Sequence, residues 1–373
     1  MNEALCLRTL GSVMQWSNDR ARIEYEWLRL ISKFKYDGYR DFVAGVQFLE
    51  SLITWLTQFE TSEERQTAYD FLKDRLVYVS PAELTKLIDL CYFEHIRPMV
   101  TQVAANDLAV DRYRLWSHPN GSKRFDYCFR HVLFMGLSDG ARTDLLRYAA
   151  RGKLKNEQVV SFTQIDPDKW QDLLDCLRND TNDRNARFHC LFVIDDFTAS
   201  GTSILRRPGL EKEWKGKLVR LWNSLDYARR ELQIELMQEN WSLRVHHYLA
   251  TQQARCTLLK RKQQAAHERE HNWFKNLEFS FSSIFDSSIK VTDQTDHRFL
   301  LLTEKHYDPN IESKQHLEEC EIDNLKRGYA ECSLPLVLEH NTPNNSLALL
   351  WAESSKGAKI AMRPLFRRHQ RHI

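Results

Sequence analysis

Hydrophobic positions in the first hundred residues recur with helical spacing. Between Asp41 and Phe59 one stripe runs Phe42, Val46, Leu49, Ile53 and Leu56, and a second runs Phe48, Leu52, Trp55 and Phe59. Steps of three and four predict a helix, and two apolar stripes predict one covered on most sides, as in the middle of a bundle. A further helix is expected from Thr61, where T-S-E-E offers a cap and an acidic first turn. Another is expected from Ser80, with Pro81 at the first helical position and Glu83 at the third.

The pattern changes after the turn signal Pro119-Asn120-Gly121. Short apolar runs at 131–136, 190–194 and 243–251 read as buried strands. Helical segments separate them, one at 143–152 and one opened by Asp166-Pro167 with Trp170, Leu173, Leu174 and Leu177 on one face. Strands alternating with helices predict a mostly parallel α/β sheet. Beyond Thr251 comes a charged helix, then the Ser-rich stretch 279–290 as a loop or edge element. The runs 298–304 and 334–341 are expected to be strands. The expected division is a helical N-terminal domain (1–115), an α/β core (116–260) and an α+β C-terminal extension (261–373).

Composition narrows the classes. The 373 residues are 42% hydrophobic and 28% charged, which excludes a disordered or fibrous chain. Against 53 Lys and Arg stand 51 Asp and Glu, so nucleic-acid binding cannot rest on global charge. Local excesses exist: residues 206–270 hold fourteen basic against eight acidic residues, and the tail carries Lys356, Lys359, Arg363, Arg367, Arg368 and Arg371. Either could track a polyanion or serve as a solvated surface. No apolar run is long enough to span a bilayer, and the first residues lack a secretory layout. Eight scattered cysteines without a C-x-x-C pair point to a reducing, cytoplasmic setting. His246 and His247, adjacent on a strand, face opposite sides, and are expected as one core and one surface residue. His267 and His271 have the spacing of a zinc pair but no third ligand, so a solvated helix face is expected.

One stretch carries chemistry, residues 190–206, CLFVIDDFTASGTSILR. An apolar strand ends in Asp195 and Asp196. A loop of Thr198, Ala199, Ser200, Gly201, Thr202 and Ser203 follows, and a helical turn is expected from Ile204. The carboxyl end of a parallel strand is where α/β sheets bind ligands. Small side chains let backbone N–H groups reach a phosphate, and the hydroxyls add donors. The two carboxylates repel that phosphate, so they should face sugar hydroxyls or a metal ion. Together these parts describe a ribose 5-phosphate. The plainer alternatives are an ordinary strand-to-helix turn and a cradle for another nucleotide; no Walker-type G-x-x-x-x-G-K-[ST] occurs.

These residues resemble the type I phosphoribosyltransferases, whose fingerprint of four apolar residues, two acids and a small Thr/Ser/Gly loop matches positions 191–203. The resemblance implies that Asp195 and Asp196 hold the ribose hydroxyls and Mg²⁺, directly or through water. It also places a pyrophosphate loop at Ser138, Asp139, Gly140 and Ala141, with Arg142 pairing an anionic oxygen. Pro208-Gly209 departs from the family by cutting short the helix after the phosphate loop. Three segments, 131–154, 193–206 and 334–354 followed by PLFRRH, resemble the phosphoribosyltransferase-like effectors of bacterial conflict systems (PRTase-CE), some encoded beside retron reverse transcriptases.

That resemblance implies an anti-phage effector that takes phosphoribosyl pyrophosphate or a nucleotide and is held inactive by a reverse transcriptase with its RNA–DNA product. The site would be a glycosyl or phosphoribosyl transferase or hydrolase; the alternative is a non-catalytic sensor or regulatory subunit. Near the C-terminus, Asn341, Asn344 and Asn345 could read a nucleobase or acceptor edge as a hood, or simply shape a turn, with Ser346 capping the next helix.

Overall fold

The apolar runs of the middle third become neighbouring parallel strands. In the computed structural model, seven strands are formed among the described residues: β1 (Val77–Val79), β2 (Val132–Gly136), β3 (Val159–Val160), β4 (Phe188–Thr198), β5 (Met237–Thr251), β6 (Leu277–Phe285) and β7 (Leu336–Leu338). The structure describes residues 3–42, 47–207, 213–267, 276–312, 314–320, 322–355, 357–358 and 361–368. Val46, Pro208-Gly209, the His267 side chain, His271, Lys356, Lys359 and Arg371 fall outside them.

The chain divides into two compact units, residues 84–286 and the two chain ends, 1–83 with 287–373. The first is built on a five-stranded, all-parallel sheet in the order β3-β2-β4-β5-β6. All five residues of β2 are buried, and so are Leu191, Phe192, Val193 and Ile194 of β4. A strand covered on both faces has no polar side to alternate with, hence the unbroken apolar runs. One face packs Leu191, Val193, Leu243 and Val245 against the helices Pro167–Thr181 and Lys217–Leu232. The first of these helices starts as its sequence predicts: Asp166 accepts from the Lys169 N–H, and Trp170, Leu173, Leu174 and Leu177 are buried. On the other face a chain of rings runs Phe129, Phe134, Phe192, His246 and His95.

That second layer explains where the contacts divide the chain. Residues 84–115 supply His95 and Met99, which lie against the sheet, and β6 continues its ladder from Leu243↔Leu277 to Thr251↔Phe285. Both segments therefore belong with the sheet, whereas the sequence pattern grouped them with the flanking domains. The Ser-rich stretch is the sheet's edge strand.

The other unit joins both ends of the chain. Parallel β1 and β7 pair from Val77↔Leu336 to Val79↔Leu338. The Trp55 indole N–H donates to Leu349 O at 2.8 Å, Phe71 stacks on Phe299, and Phe366 is fully buried among Tyr36, Tyr39, Phe42 and Phe48. The Thr61 capping box and the Ser80–Glu83 exchange form as expected. The run 298–304 is not a strand; it lies in the helix His297–Lys305, which buries Phe299, Leu300, Leu302 and Thr303. A short apolar run does not distinguish the two states by itself. Ser346 does not cap the helix Ala348–Trp351; its hydroxyl donates to Leu336 O at 2.6 Å. No helix among the described residues is long and apolar enough to cross a membrane.

Candidate functional site

In the sheet order, β3 and β4 lie on opposite sides of β2, so the connections leaving β2 and β4 diverge. This is the topological switch point, where a crevice opens at the carboxyl ends of an open α/β sheet. The two strands run in register to Gly136↔Ile194, and the Leu137 N–H extends the ladder to Ile194 O at 2.7 Å. Immediately beyond stand Ser138 on one side and Asp195-Asp196 on the other. The acid pair and the glycine loop, more than fifty residues apart in the chain, meet here.

Their contact is close. A Cβ on Gly140 would lie 2.5 Å from an Asp196 carboxylate oxygen, so only a residue without a side chain allows this approach. Asp196 is half-buried, Asp139 is exposed and Arg142 is half-buried, with its Nε 3.6 Å from Asp144. The Tyr248 hydroxyl, on β5, donates to Ala141 O at 2.8 Å and so pins the glycine loop to the sheet.

Asp195 is different from its neighbour. It is 2% exposed and its oxygens are engaged: the Ser138 hydroxyl donates to one, and the Lys217 ammonium lies 2.5 Å from the other. Burial pushes the Asp195 carboxyl above the usual range, and Asp196 adds to this, while Lys217 and Ser138 pull the other way. Lys217 was not among the residues singled out from the sequence. It stands at the first position of the helix Lys217–Leu232, whose first turn has no acidic residue. A cation there opposes the helix dipole, and that mismatch is the signal the sequence offered.

The loop after β4 is packed more tightly than a free phosphate cradle would be. Thr198, Ala199, Ser200 and Thr202 are buried, whereas Ser203 is exposed. Ala199 O accepts from the Thr251 hydroxyl, and Ser200 Oγ accepts from the Thr202 N–H at 3.3 Å. Gly201 has φ +72°, and a Cβ there would touch Leu258 of the helix Gln252–His267 at 3.0 Å. A valine at 201 would therefore strain the backbone and strike Leu258. No helix begins at Ile204. Its N–H and that of Leu205 bond to Gly201 O in a turn, which ends in the bridge Arg206↔Lys215 before the helix at Lys217.

His246 and His247 are both fully buried, because both faces of the sheet are covered; neither is the expected surface residue. His246 bonds Ser280 and Ser282, at 2.8 and 2.9 Å. His247 is the ladder partner of Asp195. Burial, reinforced by the Lys217 ammonium, holds the His247 imidazole down at about 3 despite the Asp196 carboxylate.

Asn341, Asn344 and Asn345 belong to the unit of the chain ends. There the Asn345 carboxamide donates to Tyr329 O at 2.9 Å, Asn344 O accepts from the Tyr329 N–H, and Asn341 closes a tight turn with Leu338. The described basic tail is likewise engaged within that unit, Arg363 on Thr57, Arg367 on Glu353 and Arg368 on Thr342 O.

A parallel sheet, an acid pair at its switch point and two small-residue loops converging there define a phosphoribosyltransferase-like α/β protein. The chain belongs to the PRTase-CE family, whose model matches residues 52–368. No curated protein and no solved structure matches it.

Proposed function

We propose that the crevice binds a 5-phosphorylated ribose with a leaving group at C1′, as phosphoribosyl pyrophosphate or a nucleotide, and acts as a glycosyl or phosphoribosyl transferase or hydrolase. The approach of Gly140 to the Asp196 carboxylate carries this reading, because it brings the loops after β2 and β4 to one crevice. In it, residues 198–203 take the 5-phosphate and Asp196 the ribose hydroxyls. The backbone of 138–141, with Arg142, faces the departing pyrophosphate. The bond from C1′ to the pyrophosphate oxygen breaks, its electron pair leaving on the pyrophosphate. An acceptor nitrogen or a water oxygen bonds to C1′ and releases its proton to solvent. Asp195 acts at one remove, by fixing Ser138 and Lys217 beside the crevice.

Mg²⁺ belongs to the proposal. Half-buried Asp196 suits a hard cation that shares its shell with substrate phosphates, whereas Asp195 already holds an ammonium. Bound there, the ion would neutralise charge developing on the pyrophosphate.

The engagement of Asp195 by Lys217 favours a second reading, in which the same crevice binds its ligand without turnover and serves as a sensor. Either reading fits the anti-phage effector, held by a retron reverse transcriptase and its RNA–DNA product, that the family likeness suggests. Calorimetry with phosphoribosyl pyrophosphate, with and without Mg²⁺, tests both. Mg²⁺-dependent binding that Asp196→Asn weakens at least tenfold, accompanied by pyrophosphate release, supports the enzyme. Binding without release supports the sensor, and no binding refutes both. Phage plaque counts on cells carrying the wild-type or the Asp196→Asn chain, each with and without a retron reverse transcriptase, test the defence role.

A further inference from the structure

The parallel-sheet unit has a second feature with ligand-binding chemistry, and it uses none of the crevice residues. Between the helices Arg97–Asp107 and Gly121–Arg130 the chain makes a 3₁₀ helix, Arg112–Ser117, whose sequence RYRLWS interleaves arginine with aromatic residues. Three residues per turn put positions i and i+3 on one face, about 6 Å apart along the axis. Tyr113 and Trp116 are such a pair. Leu115 turns into the core, while the two rings stay 74% and 49% exposed.

Trp116 also walls a cavity of about 300 Å³, together with Phe93, Arg97, Phe125, Arg151 and Lys153. The Arg97 guanidinium lies 5.5 Å over the Trp116 ring, and that of Arg151 5.4 Å over Phe93. Among the described residues neither guanidinium forms an ion pair. Only Lys153 has a carboxylate partner in the cavity, Asp126 at 2.9 Å. Exposed flat rings beside guanidinium groups that no carboxylate neutralises suit a ligand made of flat bases joined by anionic links.

We infer that this face binds single-stranded nucleic acid. One base enters the cavity against Trp116, the next stacks on Tyr113, and the connecting phosphates face Arg97, Arg112 and Arg151. The ring outside the cavity is what argues for a strand: a free nucleotide would need only the cavity, while Tyr113 continues the same face and is flanked by exposed Arg112 and Arg114. A duplex, with its bases already stacked on each other, offers the rings no free base face.

The test is fluorescence anisotropy of the full chain with a labelled oligothymidylate of about a dozen nucleotides, within the usual span of such sites. Tyr113→Ala and Trp116→Ala are each expected to weaken binding roughly tenfold, the usual loss for one stacking ring. The Arg97→Gln, Arg151→Gln pair should lower the slope of log affinity against log salt by about 1.4. Trp116 packs on Phe125 at 5.2 Å, so its variant could disturb the fold. The exposed Tyr113 is therefore the deciding position, with thermal melting run on both variants. Absence of binding at low salt overturns the inference. So does binding indifferent to Tyr113→Ala, equal binding of a duplex, or competition by thymidine monophosphate as effective as by the strand.

Discussion

Replacing Lys217 by methionine removes the ammonium and keeps most of the packing volume. The cation is 2.5 Å from the carboxylate of Asp195, which is 2% exposed, and the lysine side chain itself is only 20% exposed. Deleting one partner of a buried pair costs roughly 3 to 5 kcal/mol, because the other charge stays behind desolvated. Here protonation of Asp195 sets a ceiling. Its cost is about 1.4 kcal/mol for each pH unit above an ordinary carboxylate value near 3.9, hence at most about 4 kcal/mol at pH 7 and about 1.5 kcal/mol at pH 5. The penalty should therefore shrink on acidification, and Asp195→Asn in the Lys217→Met background should recover most of the loss seen at pH 7. Urea denaturation of the wild type, both single variants and the double variant at the two pH values completes a double-mutant cycle. Comparison at equal pH cancels the titration of groups elsewhere. A Lys217→Met penalty below about 1 kcal/mol at pH 7, or one equal at both pH values, would refute the buried ion pair.

The buried histidines give the whole chain an acid liability. His247 titrates near the ordinary 6.5 when unfolded and at about 3 when folded, so the unfolded state binds the extra proton and stability falls as pH drops below 6.5. At pH 5 this amounts to about 2 kcal/mol. His189, held at about 4, and His246 act in the same direction. In His247→Asn the loss of stability between pH 7.5 and 5 should be smaller by that amount, and an unchanged loss would contradict the assignment. Gly140→Ala puts a methyl 2.5 Å from the Asp196 carboxylate, so it should cost about 1 to 3 kcal/mol or displace the glycine loop. Either way, phosphoribosyl pyrophosphate binding measured by calorimetry should fall at least tenfold. Gly201→Ala should lower stability by about 1 to 2 kcal/mol in a thermal melt, from its positive φ and its contact with Leu258.

What the sequence determined by itself is what depends on neighbours in the chain. The runs that became β2 and β4, the Asp166 and Thr61 caps, and the acid pair followed by small residues were all legible within windows of a dozen residues. Their physics is local: side-chain periodicity, one orphan N–H to satisfy, room for the backbone to approach a ligand. The tertiary structure decided the rest. The partners of Asp195 stand 57 and 22 residues away, and no periodicity announces them. The run 298–304 is helical because its apolar face meets Phe71 from the opposite end of the chain. His247 is buried because a second layer covers its face, and Phe366 is a core residue because the C-terminal segment closes the N-terminal unit. Burial and charge pairing are properties of surfaces brought together. Local sequence can say that a residue has an apolar or charged side to offer, but only the folded chain supplies what that side meets.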